Sequence, residues 1–167
     1  MKKIILILSI AFIAQIATAQ ITKGTLQASG LTCSMCNLAI KKSLEKISFI
    51  DTIVPNVETA SYELTFKEGT SVNLQEIKNA VEKAGFSVAQ LSFTVNRKSL
   101  ENLNNNTFTI NGFTYNIISR LPINKANGTP SFYITDRGFL SEKKYKKFKS
   151  ANKISENELI INIAQLL

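Results

Sequence analysis

Apolar positions along residues 21–93 change period several times, and each change marks the edge of a predicted element. TKGTLQASG (22–30) alternates weakly, which predicts a short strand ending at Gly30. After Cys33, Leu38, Ala39, Ile40, Leu44 and Ile47 read as one helical face, Ile40, Leu44 and Ile47 falling four and three apart, with Lys41, Lys42, Glu45 and Lys46 largely opposite. That spacing predicts a helix over 34–47. FIDTIVPNV (49–57) is rich in β-branched residues and reads as a strand that bends or ends near Pro55. SYELTF (61–66) alternates cleanly, with Tyr62, Leu64 and Phe66 on one face, and KEGT follows as a turn. NLQEIKNAVEKAG (73–85) opens with Asn73 and Glu76 at capping-box spacing. It carries Leu74, Ile77, Ala80, Val81 and Ala84 on one stripe and stops at Gly85. FSVAQLSF (86–93) completes a βαββαβ order. This predicts an α+β fold, a ferredoxin-like open sandwich of four strands with two helices on one face, over residues of about 21–92.

The pattern weakens after residue 95. The stretch 96–106, with the polar run ENLNNN (101–106), reads as a linker. TFTINGFTYNII (107–118) predicts two short strands joined at Asn111-Gly112, a hairpin signal. SFYITD (131–136) predicts a strand and Asp136-Arg137-Gly138 a turn. SEKKYKKFK (141–149) predicts a short basic helix, and ENELIINIAQLL (156–167) a terminal helix in preference to a strand. Residues 107–167 are thus expected to form a small β-rich accessory domain behind the sandwich at 20–95.

The N-terminus stands apart from both. MKKIILILSIAFIAQIATAQ has two lysines, an apolar run and Ala17-Thr18-Ala19, which reads as an export signal spanning 1–19 with cleavage after Ala19. The uncharged run 4–22 would also suit a membrane anchor, and the Ala-x-Ala ending favours cleavage. The expected location is the periplasm or the exterior, with no stable membrane insertion afterwards. Composition, 44% apolar and 19% charged, suits a folded chain. Removing Lys2 and Lys3 from the 20 basic residues leaves 18 against 12 acidic, a formal charge of +6. Many of the bases crowd into 137–153, read as a solvated face that also steers an acidic partner. Nucleic acid is not expected as a partner of an exported chain.

The residue inventory narrows the chemistry. There are two cysteines and no histidine, so neither a Ser-His-Asp triad nor a Cys-His pair exists. One chain cannot supply a four-ligand zinc site from these residues either. Cys33 and Cys36 sit where loop gives way to helix, where unpaired amides favour thiolates. Two soft sulfurs suit near-linear Cu(I) or Hg(II). Ser34 offers no carboxylate, and Met35 is expected to point outward.

With these residues in view, 22–92 resembles the heavy-metal-associated domain family, of the copper-chaperone and periplasmic mercury-binding type. The resemblance is carried by Gly30-Leu31-Thr32-Cys33-Ser34-Met35-Cys36, by Ile40, Leu44 and Ile47, and by the AGF of 84–86. It implies that Cys33 and Cys36 are the metal ligands and that the chain is no enzyme. Leu31, standing where the family usually has Met, and Thr32 would support the loop, and Phe86 would shield the sulfurs from water. It further implies one soft ion as cargo, Cu(I) first and Hg(II) second. The expected partner is a donor or acceptor protein, a transporter or chaperone, met by a monomer. The chain departs from the family at Ser48-Phe49-Ile50, where Gly-Val is usual, and in its long tail.

Two other readings of the cysteines stay open. One is a periplasmic thioredoxin-like oxidoreductase using the same CxxC, with Gly128-Thr129-Pro130-Ser131-Phe132 as the segment facing the thiols. Against it, QASGLT is a poor apolar strand to precede such a motif. The other is a structural disulfide, which closes a loop too short to stabilise much.

Overall fold

The computed structural model describes residues 21–31, 34–100, 103, 106–118, 129–152 and 160–165. Strand β1 (Ile21–Ser29), helix α1 (Ser34–Leu44), strands β2 (Ile50–Asn56) and β3 (Ser61–Phe66), helix α2 (Leu74–Lys83) and strand β4 (Ser87–Val95) follow the predicted βαββαβ order. A 3₁₀ turn (Arg97–Leu100) then leads to β5 (Thr107–Ile110), β6 (Phe113–Ile117), β7 (Ser131–Ile134), helix α3 (Glu142–Ala151) and β8 (Ile160–Gln165). The export signal expected at 1–19 lies outside the described residues. Among the described residues no helix is long and apolar enough to cross a membrane.

The strands form one sheet in the order β2-β3-β1-β4-β7-β8-β6-β5, antiparallel throughout except for the parallel pair β6–β8. Register puts Tyr62, Leu26 and Leu91 in one row and Leu64, Gly24 and Phe93 in the next. The same pleat turns Glu63 and Thr25 to the opposite, polar face. The buried row packs in one core with Ile40 and Leu44 of α1 and Ile77 and Val81 of α2. Gly24 interrupts β1 for a steric reason. A Cβ there would stand 3.0 Å from Phe66 Cζ and 3.3 Å from the Ser92 carbonyl oxygen.

The core does not stop at β4. Phe93 packs on Phe132 of β7 at a centroid distance of 6.1 Å and on Tyr115 of β6 at 5.4 Å. Phe108 of β5 stacks on Tyr115 at 5.3 Å. Ser99 and Leu100 of the 3₁₀ turn are buried too. Helix α3 is fastened by Phe148, whose ring meets Tyr133 edge-on at 6.3 Å. The Ser141 amide donates to the Ala89 carbonyl at 3.2 Å, and Lys144 Nζ to Gln90 Oε1 at 3.1 Å. Where β7 ends, the Asn162 amide and Nδ2 donate to Asp136 Oδ2 and Oδ1, at 2.9 and 2.6 Å. Burial raises the Asp136 carboxyl above the usual range, and the two bonds from Asn162 work the other way.

Two expectations need correction. The segment expected as a terminal helix over 156–167 contains strand β8 instead, paired to β6 on one side and β7 on the other. Asn162, Ile163 and Ala164 are all buried, so no polar side remained to reveal a period of two. Helix α1 also ends earlier than expected, at Leu44, and its buried face is turned. The core stripe is Asn37, Ile40 and Leu44, continued by Ile47 after the helix, while Leu38 is 41% exposed.

Candidate metal-binding site

Strand β1 ends at Ser29, paired with Ser87 at the start of β4. Gly30 turns the chain with φ +86°, a conformation that side chains resist. Leu31 then packs, half-buried, against the core. Thr32 and Cys33, expected as a supporting residue and a ligand, lie outside the described residues. Helix α1 begins at Ser34, which places Cys36 in its first turn with a partly exposed thiol. Met35 is 71% exposed.

Phe86 stands on the other side of the turn. A Cβ on Gly30 would lie 3.9 Å from Phe86 Cδ1, and the ring packs partly into the core. Leu31, Cys36 and Phe86 therefore belong to one end of the sandwich. Pro130, expected to face the thiols in the oxidoreductase reading, does not. Its carbonyl accepts from the Val95 amide at the far end of β4, roughly 25 Å along the strand from Ser87.

Beneath Cys36 lies a polar pair that sequence reasoning missed. Tyr62 is fully buried in β3, and its hydroxyl donates to Asn37 Oδ1 at 2.8 Å and, longer, to the Asn37 carbonyl at 3.4 Å. Burial, and after it the negative charge of Cys36, pushes the Tyr62 hydroxyl above the usual tyrosine range. The signal was present in the sequence. A tyrosine on the apolar face of a strand needs a partner for its hydroxyl, and Asn37 lies three residues before Ile40 on the same helical stripe.

No three Cys, Asp or Glu side chains among the described residues gather into a metal-holding group. What this end presents is the partly exposed thiol of Cys36 in the first turn of a helix, with apolar Leu31 and Phe86 packed on the core at the same end. Such a donor set has little to offer a hard cation.

The chain is similar to known proteins over this region. The family model of the heavy-metal-associated domain matches residues 25–87. The mercuric transport protein periplasmic component of Serratia marcescens is 30% identical over 86 residues, covering 52% of this chain and 93% of that protein. The copper chaperone CopZ of Bacillus subtilis is 27% identical over 66 residues, covering 40% of this chain and 94% of that protein. Among solved structures, the oxidized MerP of Ralstonia metallidurans is 29% identical, with a TM-score of 0.36, covering 42% of this chain and 97% of that one.

Proposed function

We propose, given that this chain belongs to the heavy-metal-associated domain family, that it is an exported carrier of a soft metal ion and not an enzyme. Cys33 and Cys36 hold the ion as two thiolates, supported by Leu31, Thr32 and Phe86. The observation that carries this reading is the stretch Gly30-Leu31-Thr32-Cys33-Ser34-Met35-Cys36, with Cys36 partly exposed in the first turn of α1. Relatives named for mercuric transport and for copper support the choice between Hg(II) and Cu(I) without separating them. Export is supported by the Ala17-Thr18-Ala19 ending and by the periplasmic relatives.

Handover follows from coordination chemistry. A two-coordinate ion accepts a third thiolate from a transporter or chaperone and releases one of Cys33 and Cys36; a second thiolate of that acceptor then displaces the other, so the ion stays two-coordinate and the freed sulfurs take up protons. Loading displaces thiol protons, so affinity falls as pH falls. Hg(II) or Cu(I) titrated into anaerobically reduced protein should bind one ion per chain, and Cys33→Ser and Cys36→Ser should each abolish tight binding. Unchanged affinity in both variants rejects the reading. Brisk insulin reduction would favour a redox role instead.

A further inference from the structure

The Tyr62–Asn37 pair is out of place in a core of this kind. On α1 the buried stripe is Asn37, Ile40 and Leu44, and on β3 it is Tyr62, Leu64 and Phe66. A leucine facing a phenylalanine would fill the same interface without taking polar groups out of water, which carries a penalty unless they are well bonded. Here a single hydroxyl reaches both the side-chain and the main-chain oxygen of one residue, and that residue follows Cys36 directly. A hydrogen bond constrains direction as well as distance, where an apolar contact constrains distance alone. The pair therefore fixes the rotation of α1 about its axis and its height above β3.

We infer that Tyr62 is a positioning residue for the metal loop: its hydroxyl, bonded to Asn37, sets the pose of the first turn of α1 and with it the Cys36 sulfur. The inference rests on the metal-carrier reading above and adds a residue to it. Tyr62 is not a ligand. It acts through Asn37, holding Cys36 where two sulfurs meet one ion at little cost in reorganisation. Groups that orient a metal ligand from behind commonly matter about tenfold or more for affinity.

The test compares wild type, Tyr62→Phe, Asn37→Ala and the double variant by Hg(II) binding in competition with a small thiol. Thermal melting and amide hydrogen exchange on the metal-free chain run alongside. Phe keeps the ring and removes only the hydroxyl. Each single variant is expected to lose about tenfold in affinity, and the double variant to lose no more than either single, because both break one bond. Exchange should quicken in the first turn of α1 and stay unchanged in β1 and β4. Tyr62→Phe binding like wild type overturns this inference alone. So does an affinity loss accompanied by faster exchange throughout the sheet, which marks a general loss of stability. A wild type that binds no ion overturns the carrier reading, and this inference with it.

Discussion

Asp136 shows how much one side chain can report about its surroundings. It is held by Asn162 at the end of β7, and Asn116 Nδ2 donates to Asn162 Oδ1 at 3.3 Å, so three residues tie β6, β7 and β8 together. Burial dominates and raises its carboxyl above the unfolded value. A carboxyl raised on folding binds its proton more tightly in the native state. Its contribution is complete below the unfolded value and is lost as pH rises through the native one. Relative to Asp136→Asn, wild type should therefore lose stability as pH rises from below the ordinary aspartate range to above it, read from denaturant midpoints of both proteins at each pH. A constant difference across that range would show that the carboxylate is solvated. Tyr62 belongs to the same scale: its inward place on β3 and its need for a polar partner were legible, while the pairing itself joins positions 25 apart.

Elements differ in how openly they announced themselves. Helix α2 was plain from its letters, and the structure keeps its cap, with Asn73 Oδ1 accepting from the Gln75 amide at 3.0 Å. Asn73→Ala should cost about 1 kcal/mol, measurable by chemical denaturation. Helix α1 was legible in place and not in phase. Sorting residues by apolarity put Leu38 and Ala39 inward and left Asn37 unassigned, whereas the packed stripe takes Asn37, whose side chain accepts from the Tyr62 hydroxyl. Strand β8 was hidden for the opposite reason, since a strand buried between two neighbours loses the alternation that identifies strands. Ser43 adds a tie that no periodic rule predicts, its hydroxyl donating to the Ala80 carbonyl at 2.7 Å between the two helices.

At the scale of the whole molecule, the sandwich and its C-terminal strands share hydrogen bonds and a row of aromatic rings. The pairing of Phe93 with Phe132 joins positions 39 apart, and local pattern carries no trace of it. Phe132 is fully buried beside Phe93 and Phe108. Phe132→Ala should destabilise the chain by about 3–5 kcal/mol. It should also raise hydrogen exchange in β4 and β1 along with β7. Loosening confined to residues 107–165 would mean that the two halves unfold separately. The loop that leads into helix α1 was legible as a motif, while the Tyr62–Asn37 contact beneath Cys36 joins distant segments.

Pairing β4 with β7 has one more consequence. Among the described residues the sheet has two open margins, β2 and β5. Pro55 interrupts the first, and the second is four residues long. Neither margin offers a long template for another chain to add to, so the protein should stay free of ribbon-like self-stacking even in concentrated stocks.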